Sequence, residues 1–151
     1  MTYLLDTNIL LVYVRGKHQA YNLEDELGLL NSQDDVAISV VTVAEIKSLA
    51  LQNGWGKNRT EKLISLLNRF LIADINVDEI IERYVEIDAF SQSKHPTKRG
   101  SFTARNMGKN DLWIAATGSV LNLILVTSDD DFDHLDGEFL KLKKIDLKKY
   151  L

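Results

Sequence analysis

The segment LVTSDDDFDHL, residues 125 to 135, ends an apolar run with three consecutive aspartates and adds a fourth two positions later. Like charges at this spacing repel one another, which is unfavourable unless a cation or a shared proton compensates them. The type and spacing of these residues therefore indicate a site that binds a cation.

Three further acids stand next to short apolar runs that are typical of buried strands. Asp6 directly follows the run TYLL, Glu45 lies one turn into the helix expected after VAISVV, and Asp111 opens the helix NDLWIAATGSVL. Asp129 comes two residues after the run LILVT. In parallel sheets the carboxyl ends of the strands and the adjoining helix N-termini meet at one edge. The sequence therefore predicts that these four carboxylates converge.

The chemistry of such a site follows from its donor atoms. Carboxylate oxygens are hard ligands, and without cysteine or clustered histidine they select Mg²⁺ or Mn²⁺ over zinc. Sites with one or two such ions commonly serve phosphate chemistry, because the metal activates a water and stabilises the attacking and leaving oxygens. The four acids thus predict a metal-dependent site for phosphate chemistry.

Each acid also has a structural interpretation that needs no metal. Thr42 to Glu45 matches the capping box, in which the glutamate bonds back to the threonine amide. Asn110 or Ser128 could cap the helix that follows it, with the neighbouring aspartates complementing the helix dipole. Backbone amides could partner the carboxylate of Asp6. Convergence on one edge favours a shared site over four separate causes.

These acids can meet only if the chain builds a sheet whose strands end at one edge. Apolar runs predict strands at residues 2–5, 36–41, 73–77 and 123–127, with a fifth near 143–147. Segments of helical period lie between them. The alternation predicts an α/β domain with a mainly parallel sheet covered by helices on both faces, and the length of 151 residues predicts one domain.

Composition limits the cellular compartment and the kinds of partner that we expect for this protein. The absence of cysteine excludes disulfides and thiolate zinc sites and fits a cytoplasmic protein. The apolar N-terminus is interrupted by Asp6 and Asn8, so we expect neither a signal peptide nor a membrane span. A formal net charge of −4 argues weakly against electrostatic coating of nucleic acid, although a local basic surface can reverse the field.

Four segments together resemble a known family. LLDTNILL, SVVTVAEI, NMGKNDLWIAAT and LVTSDDDFDHL are similar, in order and spacing, to the signature segments of PIN-domain ribonucleases, particularly VapC-type toxins of bacterial toxin–antitoxin pairs. The resemblance spans Asp6 to Leu135. It implies a PIN-like three-layer α/β/α nuclease domain over residues 1–151.

The resemblance also implies roles for single residues. The positions that correspond to the family's catalytic, metal-binding acids are Asp6, Glu45, Asp111 and Asp129. Asn8 and Thr127 correspond to supporting polar positions, where an amide and a hydroxyl orient a water or a carboxylate.

The aspartate run needs a choice that the sequence alone leaves open, namely which of its members faces the metal. The family pattern favours Asp129 as the ligand and Asp131 as a second metal contact, with Asp130 directed outward. A side chain next to a ligand in sequence usually faces elsewhere.

The activity implied by the resemblance is Mg²⁺- or Mn²⁺-dependent hydrolysis of single-stranded RNA. Relatives of this kind commonly pair with an antitoxin whose C-terminal segment occupies the nuclease groove, and they commonly form homodimers. A housekeeping role in RNA processing is the alternative to the toxin, and the length of a single domain favours the toxin.

An acidic edge repels RNA, so basic groups must hold the substrate. The segment 93–110 combines proline, glycine and small polar residues, is predicted to be the one long loop, and carries no acid from Lys94 to Asn110. Phe102 is available there to stack on a base. The residues predicted to contact phosphates are Lys94, Lys98, Arg99, Arg105 and Lys109. A solvated loop with ordinary surface charges is the alternative.

Two competing functions fit the sequence less well than the nuclease does. A non-catalytic PIN-like module would bind RNA or protein only, but degenerate members usually lose ligands, and all four acids are present. A haloacid-dehalogenase-like phosphatase expects Asp-x-Asp after the first strand, and Asn8 occupies the third position here.

Overall fold

A computed structural model describes residues 2–30 and 35–150, with the last residue described in its backbone only. Strands and helices alternate along the chain. In order they are β1 (Thr2–Leu5), α1 (Thr7–Arg15), α2 (His18–Leu27), β2 (Asp35–Ser39), α3 (Val40–Gln52), α4 (Lys57–Arg69), β3 (Leu71–Ala73), α5 (Asp78–Ser91), α6 (Lys109–Val120), β4 (Ile124–Thr127) and β5 (Lys141–Lys144). Two 3₁₀ segments, Asp130–Leu135 and Leu147–Tyr150, follow β4 and β5.

The strands form one sheet of five strands in the order β3-β2-β1-β4-β5, and every neighbouring pair is parallel. β1 lies at the centre, where Leu4 pairs with Ala37 of β2 and Leu125 of β4. The carboxyl ends of β1, β2 and β4 therefore lie side by side. The predicted α/β fold with a parallel sheet is confirmed, and in the described ranges the sheet is parallel throughout.

Both faces of the sheet are covered by helices. Leu4 and its neighbours Ala37 and Leu125 join a core cluster with α5 and α6. The next residue, Leu5, faces the opposite side and joins a cluster with α1, α2 and α4. Successive strand residues point to opposite faces, and a sheet buried on both faces needs continuous apolar runs. This explains why TYLL and LILVT show no polar alternation.

Two strand boundaries differ from the prediction over 36–41 and 73–77. β2 stops at Ser39 because the Ser39 hydroxyl accepts a hydrogen bond from the Val41 amide at 3.1 Å and caps α3. β3 starts before the predicted range and ends at its first residue, Ala73, because the Asp74 carboxylate accepts from the Asn76 amide at 3.0 Å and turns the chain. The last strand is also earlier than the predicted 143–147.

A helix that spans a membrane must be long and predominantly apolar. Among the residues described, no helix is both long and apolar enough to cross a bilayer.

Candidate active site

Asp6 lies at the centre of the carboxyl edge, between the end of β1 and the start of α1. Its Oδ1 accepts a hydrogen bond from the Thr7 amide at 2.8 Å and thereby caps α1. Its Oδ2 accepts from the Thr127 hydroxyl at 2.7 Å. The side chain is buried, and this burial raises the pKa of Asp6 although both hydrogen bonds lower it. Asp6 is thus a buried acid fixed in one orientation.

Glu45 projects from α3 toward the start of α1. Its Oε1 accepts a hydrogen bond from the Thr7 hydroxyl at 2.8 Å, and the Thr42 hydroxyl lies 3.1 Å from the same Thr7 oxygen. The capping-box interpretation of Thr42 is wrong, because α3 begins at Val40 with Ser39 as its cap. Glu45 is therefore directed to the carboxyl edge by a tertiary contact.

Asp111 lies in the first turn of α6, which begins at Lys109 with Gly108 as its cap. The interpretation of Asn110 as the cap is therefore wrong. Burial and the neighbouring acids raise the pKa of Asp111 to about 7. The contributing charges, after burial, are Asp6, Asp129, Glu45 and Asp131. All four predicted acids thus lie within electrostatic reach of one another.

The aspartate run divides into two pairs that face different partners. Asp129 caps the 3₁₀ segment by accepting from the Asp131 amide at 2.9 Å, so the interpretation of Ser128 as the cap is wrong. One carboxylate oxygen from each of Asp111, Asp129 and Asp131 lies within 4.8 Å of the others. Asp130 and Asp133 instead accept from the Lys144 ammonium at 2.5 and 2.8 Å.

The positive charge that compensates half of this run is therefore a lysine. Lys144 lowers the pKa of Asp130 through a hydrogen bond and through its charge. Asp129 and Asp131 have no such cation, since the ion pairs of the described residues do not include them. The remaining pair, Asp129 and Asp131, forms with Asp111 of α6 the group of carboxylates that a metal would compensate.

The two predicted supporting residues are placed differently. The buried Thr127 hydroxyl donates to Asp6 and accepts from the Asp129 amide at 3.0 Å, so it links the ends of β1 and β4. Asn8 lies exposed in the first turn of α1, and no hydrogen bond of its amide is seen within the described part of the chain. The structure brings Thr127 into the acid cluster and leaves Asn8 at its solvent side.

Sequence reasoning missed Thr7 and Lys144. Thr7 carries a local signal, because a hydroxyl directly after a strand-ending acid can reach a second acid on a neighbouring helix. Lys144 carries no such signal, because it lies on β5 and meets Asp130 only through the pairing of β4 with β5.

The predicted RNA-binding residues lie in and beside the loop between α5 and α6. Arg105 is half-buried, and its guanidinium donates to the backbone carbonyls of Asp130 and Asp131 at 3.3 and 3.4 Å. The Lys98 ammonium lies 4.9 Å from the centre of the Phe139 ring, and the Arg99 guanidinium donates to the Ser93 carbonyl at 2.7 Å. Lys94, Lys98, Arg99 and Lys109 are exposed.

Phe102 packs against two aromatic rings at the edge of the core and remains partly exposed. Its ring centre lies 5.1 Å from that of Phe90 and 4.9 Å from that of His134. The turn that folds it inward needs glycine at position 100, since a Cβ there would lie 1.9 Å from the Phe102 ring. The ring is half-buried, and the stacking role of Phe102 stays a prediction.

The donor set fits a hard divalent cation. The converging donors are oxygens, and no lysine, arginine or histidine of the described ranges pairs with Asp111, Asp129 or Asp131. Burial first, and then the charges of the neighbouring acids, raise the pKa of Asp111 to about 7, so a proton or a cation at this carboxylate is favourable. Oxygen ligands of this kind favour Mg²⁺ or Mn²⁺.

Comparison with known proteins agrees with this geometry. The sequence model of the PIN domain matches residues 3–138. Ribonuclease VapC5 of Mycobacterium tuberculosis is 29% identical over 133 residues, which is 88% of this chain and 87% of that protein. The structure of VapBC2 from Rickettsia felis, bound to a DNA fragment from its promoter, has a TM-score of 0.75 and 26% identity over 95% of this chain and 98% of that one.

A second solved structure extends the likeness of the fold. It is VapBC-5 from Mycobacterium tuberculosis, described as a member of the VapBC family of toxin–antitoxin systems. Its TM-score is 0.62, with 22% identity over 95% of this chain and 98% of that chain.

Proposed function

Because the chain belongs to the PIN-domain family, we propose that it is a metal-dependent endoribonuclease that hydrolyses phosphodiester bonds of single-stranded RNA and serves as the toxin of a toxin–antitoxin pair. The observation that carries this proposal is the group of three carboxylates, Asp111, Asp129 and Asp131, gathered beside Asp6 and Glu45 without a cationic side chain of the described residues. The likeness to Ribonuclease VapC5 supports RNA as the substrate.

The site residues take distinct roles in this proposal. Asp111, Asp129 and Asp131 would hold Mg²⁺ or Mn²⁺. When bound, such an ion lowers the pKa of a coordinated water and neutralises charge on the phosphate. Asp6, fixed by Thr127, and Glu45, fixed by Thr7, would orient the water and the cation.

Two groups of residues would handle the substrate around these acids. The Asn8 amide is exposed at the start of α1, where it can orient a water or a phosphate oxygen. Basic side chains of the loop before α6 would neutralise phosphates that the acidic cluster repels. They are Lys94, Lys98, Arg99, Arg105 and Lys109.

The proposed partners are a cognate antitoxin and a second copy of the chain, in the cytoplasm. Support for the antitoxin comes from the similar fold of VapBC-5, which belongs to a family of toxin–antitoxin systems. An antitoxin segment that occupies the acidic groove would keep RNA away from it. The whole chain, residues 1–151, would act as one nuclease domain.

The test is cleavage of a mixed pool of single-stranded RNA by purified protein in EDTA, Mg²⁺ or Mn²⁺. We expect cleavage only with metal. Asp6→Asn should reduce it by more than about 100-fold, because loss even of a residue that only supports a metal ligand commonly costs about 10–100-fold. Asp130→Asn is the matched control, since Asp133 still holds Lys144.

Three results would count against the proposal. Cleavage in EDTA would show that the reaction does not need a metal. Equal activity of Asp6→Asn and wild type would show that the reaction takes place outside the acidic site. Folded protein, free of antitoxin, that binds RNA with every metal but never cuts it would be a non-catalytic RNA-binding module.

A further inference from the structure

A second surface with strong charge lies outside the acidic site. Two adjoining cavities of about 640 and 650 Å³ share Arg15 and Arg59 in their walls. They lie at the end of α1, the start of α2 and the start of α4, and none of the site acids lines them. We name the two cavities together the basic cleft.

The charge of the basic cleft is of one sign. Within residues 2–30 and 35–150, no aspartate or glutamate lines either cavity. Among the ion pairs of the described residues, its cations take part in one, between Lys57 and Glu61 at 4.0 Å, and both side chains there are mostly exposed. The six cationic residues are Arg15, Lys17, Lys57, Arg59, Lys62 and Lys149. A chain with net charge −4 has gathered a third of its 18 lysines and arginines here.

Backbone and aromatic groups add to the positive character. α2 and α4 both start at the cleft, and neither has a side-chain cap or an acid in its first turn, so their N-terminal amides add partial positive charge. The Arg59 guanidinium lies 5.4 Å from the centre of the Trp55 ring, which orients this charge.

We propose that the basic cleft is a second binding surface for RNA, which holds phosphates of the substrate beyond the nucleotides at the acidic site. This inference rests on the proposed ribonuclease function. α1 joins the two surfaces, since Asp6 caps its start and Arg15 is its last residue. Its nine residues span about 13 Å. An RNA held at the acidic site therefore reaches the cleft only if it extends past that site by about this distance.

RNA fits the cleft better than an acidic protein segment does. Protein partners are anchored by apolar and aromatic side chains in desolvated pockets. The large apolar side chains that the described residues place in the walls are Val14, which is buried, and Trp55, whose ring lies under Arg59. Repeated phosphates need only well-placed cations and backbone amides, which the cleft has.

The test measures RNA binding separately from cleavage. Fluorescence anisotropy with long and short single-stranded RNA is recorded in the Asp6→Asn background, with and without Arg15→Ala/Arg59→Ala. The double change should weaken binding of the long RNA about tenfold and lower the salt slope by about 1.4, because each missing arginine leaves one phosphate of a single strand without its cation. The short RNA should bind unchanged.

Matched variants separate a local effect of the basic cleft on RNA binding from a general effect of the protein's charge. Lys47→Ala/Lys141→Ala removes two exposed charges elsewhere and should leave both affinities unchanged. Arg15→Lys/Arg59→Lys keeps the charge and should retain most of the binding. Circular dichroism checks the fold of each variant.

Two results would overturn the inference. One is an equal salt slope and affinity in the arginine double variant and the Lys47→Ala/Lys141→Ala control. The other is an arginine double variant that binds RNA unchanged but no longer binds polyglutamate, used as an acidic peptide probe. That result would assign the cleft to a protein partner. A third result would separate the two proposals. If RNA binding depends on the two arginines but the wild-type protein never cuts RNA, the proposed nuclease function is refuted and the proposed RNA-binding surface stands.

Discussion

The acidic site and the basic cleft are both concentrated charges, yet they are built in opposite ways. The acids lie at the carboxyl edge of a buried sheet, and Asp6, Thr7 and Thr127 bond to one another or to their neighbours. The cations of the cleft are exposed, and among the described residues they form a single ion pair. The acidic site is partly buried and held by hydrogen bonds, whereas the cleft is exposed and has few fixed contacts.

The difference follows from what each surface would bind. A metal ion needs ligands held in a fixed geometry, so its carboxylates must be fixed by neighbours despite the electrostatic cost. A flexible polyanion needs many screened contacts, none of which must be exact. Single changes at the acidic site should therefore cause large losses of metal affinity or of stability. Single changes in the cleft should change RNA affinity and stability only slightly.

Among changes that leave every carboxylate in place, the largest expected effect on metal affinity comes from Thr127→Val. The change removes the hydroxyl between Asp6 and the Asp129 amide, so Mn²⁺ affinity should fall by about 10–100-fold. Isothermal titration calorimetry of metal into the protein measures this. Thr117→Val is the control, because Thr117 is equally buried but donates to the Trp113 carbonyl. Equal losses in both variants would mean that the rigidity of the site is not what holds the metal.

A smaller effect is expected at Lys144→Ala. Without Lys144, the repelling carboxylates of Asp130 and Asp133 lose their cation, and the 3₁₀ segment that carries Asp131 should loosen. Mn²⁺ affinity should fall about tenfold, within the range for groups that support ligands. Lys143→Ala on the same strand is the control. Unchanged affinity in the Lys144 variant would show that backbone contacts alone fix the segment.

The pH dependence of metal-free stability gives a further, smaller effect. The folded protein holds a proton on Asp111 up to pH about 7, whereas the unfolded chain releases it near 3.8. The contribution of Asp111 to stability is thus present below pH about 3.8 and is lost as pH rises through about 7. In EDTA, the Tm of wild type should fall across this window relative to Asp111→Asn. Partial exposure screens the effect to a few degrees.

Scanning calorimetry at several pH values measures this difference. Parallel Tm curves for the two proteins would contradict the raised pKa. Saturating Mn²⁺ should reverse the trend in wild type, because the ion binds the deprotonated cluster.

The smallest effect is expected at Lys57→Ala in the cleft. Its pair with Glu61 is exposed and 4.0 Å long, so the free energy of unfolding should change by less than about 0.5 kcal/mol. Urea denaturation measures this change. A loss of more than about 1 kcal/mol would mean that the cleft is as tightly built as the acidic site.

The order of strands and helices could be predicted because the sheet is buried on both faces. Strands such as the one that carries Leu4 and Leu5 then appear as short apolar runs separated by amphipathic helices. Boundaries were less accurate where the same residues suit both elements. Val40 and Val41 are β-branched and extend the apolar run of β2, but the Ser39 hydroxyl starts a helix there.

The site was predictable to the extent that its residues end strands or open helices. Asp6, Asp111 and Asp129 stand at such positions, and the structure brings them together with Glu45. The resemblance predicted that Asp130 faces away from Asp129 and Asp131, as the structure has it. Its pairing with Lys144 was not predictable from the sequence, because Lys144 reaches it through strand pairing. The inward turn of Phe102 likewise depends on packing against Phe90 and His134.

Arg105 connects metal binding and RNA binding, which are usually measured separately. Its guanidinium donates to the carbonyls of Asp130 and Asp131 and is also proposed to contact RNA. A phosphate that draws Arg105 away would loosen the segment carrying a metal ligand, and a metal that orders the segment would hold Arg105 on the carbonyls and away from the phosphate. The two affinities are then thermodynamically coupled, and each ligand must change the affinity of the other by the same factor.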